Sequence, residues 1–467
     1  MTSSTEALQG VLDRSDRLDP SVKLQHLPIR TLSNEEMLNF RKKHFLPTAV
    51  LYYQKPIQLV RAKGNYVYDE TGREYLDVIG GIVCNSAGHN HPKVQKKLAE
   101  MILNDEIQHS TMLYHNQHVV HLGEKILSEA PEGIDRVALT NSGSEANELA
   151  FMAARHATGE TMIVNLRHSY HGGTSATLAA CGHHTWRFRA QPITQVTSVI
   201  EPNCYRCPFG QKADACHFEC AKQVEATIQT TTHGKIAAFI AEPVMGVGGF
   251  IAPPKEYFQM VADIVHNYGG KYISDEVQTG AGRTGESFLF TKSMGIKADM
   301  ITMAKGFGNG AAIGATLMTS EVAEPLAGKL YFNTFAGDPF QTAQAKLTMD
   351  IISEEKLIEN ASVMGARLRS GLEELMKRHP LIGDVRGRGL LMGIELVKDR
   401  TTKEYAPAHV NDLMERCKDK GVLIGKGGLF GNVVRLAPAL SITAEQIDFI
   451  LKTLDECLAE TAKHVAS

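Results

Sequence analysis

The residue with the clearest chemical potential is a lysine that follows an apolar run. Residues 300–304 (Met-Ile-Thr-Met-Ala) predict a short buried strand, and Lys305 comes directly after it, before three glycines at 306, 308 and 310. Burial penalises the ammonium form of a lysine and favours a neutral amine, which can act as a nucleophile or form a Schiff base. A strand-end lysine can also extend its amine to solvent. Other positions must decide between these interpretations.

A possible phosphate site and a possible ring-stacking residue follow two other predicted strands. Gly143 and Ser144 lie between the strand Val137–Leu139 and a helix. The free backbone N–H groups that open a helix suit a phosphate, although serine is also an ordinary helix cap. Tyr170 follows the strand Met162–Val164 and is followed in turn by two glycines, so its ring could lie on a flat ligand. A core tyrosine is the alternative.

Two carboxylates also come directly after apolar runs. Glu242 follows residues 239–241, and Asp275 follows residues 273–274. A carboxylate at the mouth of a parallel sheet is costly unless a cationic group faces it. Asp275 could hold a protonated heterocyclic nitrogen, and Gln278 could donate to a phenolate oxygen. A helix cap or a structural ion pair would explain each residue singly.

Considered together, these groups describe one ligand. A lysine amine, a phosphate-binding turn, an aromatic ring and a carboxylate at successive strand ends match pyridoxal 5′-phosphate (PLP). Short strands that alternate with helix-length segments predict a mostly parallel sheet, and open α/β folds bind ligands at the carboxyl ends of such strands. Neither a Walker A loop nor a dinucleotide-binding glycine motif occurs in a strand–helix context, which argues against a dehydrogenase.

The sequence resembles the class III PLP-dependent aminotransferases of fold type I over nearly its whole length. The motifs that carry the resemblance are Asn-Ser-Gly-Ser-Glu-Ala-Asn (141–147), Tyr-His-Gly (170–172), Ala-Glu-Pro (241–243), Ser-Asp-Glu-Val-Gln-Thr-Gly-Ala-Gly-Arg-Thr-Gly (274–285), Met-Ala-Lys-Gly (303–306) and Asn-Thr-Phe-Ala-Gly-Asp-Pro (333–339). The segments Tyr52-Tyr53-Gln-Lys-Pro56, Gly-Ile-Val (81–83), Gly-His-Asn-His-Pro (88–92) and Gly-Asp-Val-Arg-Gly-Arg-Gly (383–389) favour the alanine–glyoxylate (β-aminoisobutyrate–pyruvate) branch.

The resemblance implies a role for each matching residue. Lys305 would carry the cofactor as a Schiff base and act as the general base, and Asp275 would pair with the pyridinium nitrogen. The other residues implied in cofactor binding are Gly143, Ser144, Tyr170, His171, Glu242, Val277 and Gln278. Thr334 would reach the phosphate of the neighbouring subunit, which implies a homodimer with shared active sites. Arg435 would clamp the substrate carboxylate, a task that suits a bidentate guanidinium.

The expected reaction is a ping-pong transamination from an amino acid or amine to a keto acid such as pyruvate or glyoxylate. Other branches of the family carry an acid five residues after the Ala-Glu-Pro glutamate, where it neutralises the arginine. This chain has Val247 there, which favours a substrate α-carboxylate or a keto acid. The alternative is a PLP-dependent phospho-lyase acting on a phosphorylated amino alcohol. The sequence does not rank the amino donors.

Chain length, composition and net charge predict the domain organisation and the kinds of partner. The 467 residues predict a large α/β domain with a mostly parallel sheet (76–335) and a smaller α+β domain formed by 336–467 with part of an N-terminal arm (1–75). The net charge of −3 and the absence of an apolar run of about 20 residues predict neither nucleic acid nor membrane as a partner. The polar segment Met1–Arg30 resembles no targeting signal, so we expect a cytoplasmic protein.

Two clusters of possible metal ligands remain outside this scheme. The spacing of Cys204, Cys207, Cys216 and Cys220 permits a zinc knuckle, but its gaps differ from those of usual zinc ribbons, so we expect reduced thiols and no metal. His89 and His91 flank one residue beside a proline, and the sequence offers them no third ligand. A non-enzymatic metal-binding module therefore ranks below both enzyme hypotheses.

Overall fold

A computed structural model describes residues 32–48, 50–190, 195–212 and 215–465 of the chain. The predicted polar arm at Met1–Arg30 lies outside the described residues. The longer helices are α1 (Asn34–His44), α2 (Pro92–Leu103), α3 (Gln117–Glu129), α4 (Gly143–Thr158), α5 (Glu219–Thr231), α6 (Lys255–Asn267), α7 (Pro339–Glu354), α8 (Leu357–Arg378), α9 (Pro407–Asp419) and α10 (Ala444–His464). One-turn helices span Gly80–Val83, Ser175–Ala179, Phe290–Met294 and Ser320–Ala323.

The strands form three sheets. They are β1 (Leu59–Lys63), β2 (Tyr66–Asp69), β3 (Glu74–Asp77), β4 (Ile134–Thr140), β5 (Ile163–Leu166), β6 (Val196–Val199), β7 (Ala238–Ala241), β8 (Lys271–Asp275), β9 (Met300–Met303), β10 (Gly314–Thr319), β11 (Ile382–Arg388), β12 (Leu391–Leu396), β13 (Val422–Leu423), β14 (Gly425–Gly427) and β15 (Val433–Leu436).

A seven-stranded sheet forms the centre of the molecule, in the order β4-β10-β9-β8-β7-β5-β6. Strands β5 to β9 pair in parallel, whereas β10 runs antiparallel to both of its neighbours. The residues of β5, β7 and β9 are buried throughout, as expected for strands covered on both faces. The predicted mostly parallel α/β sheet is therefore confirmed.

The C-terminal part builds an antiparallel sheet in the order β11-β12-β15-β14, with long helices packed nearby. Helix α8 contacts β11 and α10, and α10 also contacts α9. A third sheet, β1-β2-β3-β13, joins the segment after α1 to the C-terminal part, because Val422 pairs with Leu76. The residue limits given above for the domains stay a prediction.

No helix among the described residues is long and apolar enough to cross a membrane.

Candidate active site

The predicted site residues meet at the carboxyl edge of the central sheet. Strands β5, β7, β8 and β9 run in the same direction, so the residues that follow them share one edge. A cavity of about 310 Å³ opens there, within the range of small-molecule sites. It is lined by Cys84, Asn141, Ser142, Gly143, Ser144, Asn147, Tyr170, His171, Gly172, Glu242, Asp275, Val277, Gln278, Ala304, Lys305, Ala311, Ala312 and Ile313.

Lys305 lies on the floor of this cavity in an unusual backbone conformation. It begins a 3-10 turn directly after β9 and has a φ of +52°. Left-handed conformations are uncommon for residues other than glycine and are found where the surrounding structure enforces them, often at functional sites. Burial lowers the pKa of Lys305, and the positive charge of Arg435 adds to this effect, which outweighs the opposing influence of Cys84, Asp275 and Glu242. The net lowering favours the neutral amine that a nucleophile requires.

Asp275 is held at the end of β8 by side chains from two other segments and by a backbone N–H two residues further along the chain. Its Oδ2 accepts a hydrogen bond from Asn147 Nδ2 at 2.9 Å and pairs with His171 Nδ1 at 2.7 Å. Its Oδ1 accepts from the backbone N–H of Val277 at 3.1 Å. Asn147 is itself fixed by the hydroxyl of Thr302, which donates to its Oδ1 at 2.7 Å. The carboxylate is therefore rigidly oriented towards the cavity.

The turn that opens α4, where the sequence predicts an anion site, lines the cavity with Ser142, Gly143 and Ser144. Ser142 caps the helix, because its hydroxyl accepts from the N–H of Glu145 at 3.2 Å. A Cβ at Gly143 would lie 2.8 Å from Val277 Cγ2, so this close approach requires glycine. The hydroxyl of Ser144 accepts from the N–H of Gly173 at 3.0 Å. The amino-terminal end of α4 therefore lies at the wall of the cavity.

Glu242 is buried at the end of β7. Its Oε1 accepts from the N–H of Tyr170 at 3.0 Å, and its Oε2 accepts from the N–H of Gly246 at 2.8 Å. Burial raises the pKa of Glu242 to about 7, against the lowering effect of nearby His171. The carboxyl group consequently holds Tyr170 in the wall of the cavity at a cost in desolvation.

This shift predicts a pH-dependent stability. The pKa of Glu242 is about 7 in the folded chain and 4.5 as the ordinary value, so folding gains stability below pH 4.5 and loses it as the pH rises through 7. The loss should reach roughly 3 kcal/mol at most. The measurement is the thermal midpoint of each protein at pH 5 and at pH 7.5. The midpoint of wild type should fall relative to that of Glu242→Gln as the pH rises from 5 to 7.5. The exposed control Glu132→Gln should show no such shift, and a pH-independent Glu242→Gln difference would contradict the prediction.

The polar groups of the cavity fit PLP. His171 Nε2 and Gln278 Oε1 are buried and have no hydrogen-bond partner among the described residues. Buried polar groups without partners are costly and indicate a missing ligand or water. PLP requires an amine, a phosphate site and a partner for its ring nitrogen. The lysine, the helix start and the fixed carboxylate of this cavity fit these three contacts, and the unpartnered groups fit further polar contacts with a ligand.

Two predicted residues lie outside the cavity wall. Thr334 is exposed in the segment after Leu330. Arg435 is buried on β15, where its Nη1 donates to the carbonyl of Gly246 at 3.1 Å. Because the N–H of Gly246 donates to Glu242 and its carbonyl accepts from Arg435, this single residue joins Arg435 to the cavity wall.

The sequence interpretation missed contacts that depend on tertiary structure. Asn147 belongs to the motif at 141–147, but its spacing gave no sign that it bonds Asp275, which lies 128 positions away. Cys84 lines the cavity from the segment after Gly80–Val83, and no local pattern indicates this. The motif around Asn147 was the only available signal.

The possible metal ligands are separate from this cavity. Among the described residues, no group of three or more His, Cys, Asp or Glu side chains is placed to hold a metal. His89 pairs with Asp77 at 2.9 Å and His91 with Glu355 at 3.2 Å. Cys204 is exposed, and reduced thiols at the four clustered cysteines stay a prediction.

The fold and this cavity define a PLP enzyme of fold type I. Residues 48–458 match the family model described as aminotransferase class-III. The chain belongs to the class III aminotransferases, and it uses PLP as its cofactor. The predictions of fold type, cofactor and aminotransferase activity are thereby confirmed.

Individual relatives and solved structures are similar to this chain over most of its length. A protein of Arabidopsis thaliana named alanine–glyoxylate aminotransferase 2 homolog 2, mitochondrial, is 38% identical over 98% of this chain and 95% of its own. An amine transaminase from an uncultivated Pseudomonas species, solved in its PLP-bound form, has a TM-score of 0.81 at 27% identity and covers 95% and 100% of the two chains. An Arthrobacter phospholyase solved with phosphoethanolamine has a TM-score of 0.83 at 32% identity, over 91% and 99%.

Proposed function

We propose that this transaminase takes its amino group from a donor that carries a carboxylate and passes it to glyoxylate or pyruvate, with Arg435 binding the carboxylate. The observation that carries the proposal is the state of Arg435. Arg435 is 3% exposed, and its Nε has no hydrogen-bond partner among the described residues. Its Nη1 donates to a backbone carbonyl, and the guanidinium lies 5.3 Å from the ring centroid of Phe250, so neither contact neutralises its charge. A buried guanidinium without a carboxylate is costly, and a substrate carboxylate would supply the missing charge.

The sequence and the relatives support this choice of substrate. Val247 stands where other branches of the family carry the neutralising acid, and its carbonyl accepts from the N–H of Gly428 at 2.9 Å. No acidic side chain at 247 therefore competes for Arg435. The Arabidopsis relative is named for alanine and glyoxylate, which both present a carboxylate.

Each residue of the site has a distinct proposed task. The cofactor, when bound, supplies the electron-accepting ring that stabilises the substrate carbanion. Lys305 would hold the cofactor through its Nζ amine, and the same buried amine would serve as the base that moves a proton. Asp275, oriented by His171 and Asn147, keeps a proton on the ring nitrogen. The start of α4 binds the phosphate.

Removal of the Arg435 guanidinium should weaken carboxylate binding. In Arg435→Ala, the half-saturating L-alanine concentration in the donor half-reaction should rise about 10- to 100-fold, which corresponds to the loss of one charge-assisted hydrogen-bonded pair. The exposed control Arg367→Ala removes an ion pair with Asp448 on the C-terminal helices and should leave this value unchanged. The measurement is the donor-dependent loss of visible cofactor absorbance. An unchanged value in Arg435→Ala would refute the proposed carboxylate site.

A phospho-lyase activity is the second candidate, favoured by the likeness to the Arthrobacter enzyme. The two activities differ in their products. A lyase releases inorganic phosphate from phosphoethanolamine without a keto acid, whereas a transaminase requires the keto acid to complete its cycle. Phosphate release at a rate above that of alanine–glyoxylate transamination would replace the proposal by this alternative.

We also propose that the enzyme is a homodimer in which Thr334 reaches the partner's cofactor phosphate. The segment that carries Thr334 exposes the apolar side chains of Leu330, Tyr331, Phe332 and Phe335, and Met112, whose sulfur lies beside Gly337, is exposed as well. Exposed apolar groups in such number indicate a protein–protein contact. Sedimentation should give twice the chain mass of 51.1 kDa. A monomer mass in the active holoenzyme would exclude the shared site.

A further inference from the structure

The loop that carries the first cysteine pair is fastened to the C-terminal sheet by an arginine. Arg206 Nε pairs with Glu395 Oε1 on β12 at 2.6 Å, and its Nη2 donates to the carbonyl of Lys403 at 2.7 Å. The guanidinium also lies 4.0 Å from the ring centroid of Tyr405. In return, Lys403 Nζ donates to the carbonyl of Tyr205 at 2.6 Å. An arginine held in this way is positioned more firmly than an ordinary surface residue.

Glu395 also pairs with a second arginine, Arg386. Its side chain is buried, and its Oε2 pairs with Arg386 Nη1 on β11 at 2.6 Å. Arg386 Nε donates in turn to the carbonyl of Gly249 at 2.9 Å. A buried carboxylate is stable only when its charge is compensated. Loss of Arg206 would leave Arg386 as the one cationic partner of Glu395 within the described part of the chain.

The chain of contacts ends at the substrate arginine. The N–H of Gly249 donates to the carbonyl of Gly246 at 3.1 Å, and that same oxygen accepts from Arg435 Nη1 at 3.1 Å. Gly249 has a φ of +99°, and a Cβ there would lie 2.9 Å from Val433 Cγ2, so the turn 246–249 is closely packed. The turn that orients Arg435 is therefore held from its other side by Arg386.

We propose that Arg206 is a positioning residue for the substrate carboxylate. It fixes Glu395 and through it Arg386, which sets the turn 246–249 and the carbonyl that orients Arg435. Arg206 does not touch the cofactor cavity, so its removal should alter the recognition of carboxylates and spare the reaction of the cofactor with other amines. This inference rests on the proposed function, because it requires Arg435 to bind the carboxylate.

Two probes separate carboxylate recognition from general reactivity. Aminooxyacetate and methoxyamine carry the same reactive aminooxy group, but only aminooxyacetate has a carboxylate. Both are added to the PLP-loaded enzyme, and the half-saturating concentration of each is read from the change in visible absorbance. In Arg206→Ala, the value for aminooxyacetate should rise roughly 5- to 20-fold relative to that for methoxyamine, as expected for a displaced binding group.

A matched control distinguishes positioning from a loss of stability. Arg400 is an arginine of the same region that donates to backbone carbonyls of Ile382, Met376 and His379 and has no contact with Glu395. Arg400→Ala should leave the ratio of the two probes unchanged, even if it lowers the thermal midpoint. Arg206→Lys keeps the charge and should restore part of the selectivity.

The outcomes separate this inference from the function on which it rests. If Arg435→Ala leaves the probe ratio unchanged, the proposed carboxylate site fails. If Arg435→Ala changes the ratio and Arg206→Ala does not, only the positioning role of Arg206 is overturned. An equal change in Arg400→Ala would also overturn it. Should Arg206→Ala not fold, a wild-type ratio in both Arg206→Lys and Glu395→Gln would count against the inference.

Discussion

Replacement of Lys305 by alanine should abolish transamination. We expect a loss of turnover on the order of 10³-fold or more, because one side chain both bonds the cofactor and moves the proton. The visible absorbance of the lysine-bound cofactor should disappear as well. The start of α4 and Asp275 remain, so the variant should fold and still retain some PLP. Turnover is measured as keto-acid-dependent product formation from L-alanine.

A second lysine controls for effects of charge and expression. Lys297 is exposed three positions before β9, at the opposite end of the strand that leads to Lys305. Lys297→Ala should therefore keep wild-type turnover and absorbance. In the wild type, borohydride should fix the cofactor to Lys305, and peptide mass analysis locates the label. Label on another lysine, or turnover of Lys305→Ala near that of wild type, would refute the assignment.

Asp275→Asn should have the second largest effect. An amide cannot keep a proton on the ring nitrogen as a carboxylate does, so the cofactor accepts the carbanion's electrons less well. We expect turnover to fall roughly 10²- to 10³-fold, a loss within the range of general acid–base and electrostatic contributions. Asparagine has the same size and can still accept from the N–H of Val277, so the protein should fold. Turnover and the absorbance spectrum of the bound cofactor are the measurements.

Asp299 supplies a closely matched control. It is buried like Asp275, pairs with His266 at 2.8 Å and accepts from the N–H of Tyr272 at 2.7 Å, but it lies at the amino end of β9. Asp299→Asn should lower stability without a comparable loss of turnover. Equal losses of turnover in the two variants would contradict the prediction. They would show that Asp275→Asn acts through the general effect of burying an amide and not through a specific contact with the cofactor.

The location of the site at the carboxyl edge of the sheet could be predicted from the sequence, because each functional residue has a local signal in the chain. Lys305, Asp275 and Glu242 each follow directly on an apolar run, and parallel strands place such positions at one edge. The described structure has those strands as β9, β8 and β7, and their carboxyl ends meet at one cavity. The limits of β7, β8 and β9 differed from the predicted runs by at most two residues, whereas β4 begins three residues before the predicted Val137.

By itself, the sequence determined the class of enzyme, its cofactor and the order in which its groups appear along the chain. The spacing of apolar and polar residues predicts strands, helices and buried positions, and the motifs indicate the chemistry of the site. Tertiary structure decided which side chains meet: Asn147 with Asp275, and Gly246 with both Glu242 and Arg435. Those contacts join residues far apart in the chain. They depend on how whole sheets and helices pack, which no local pattern specifies.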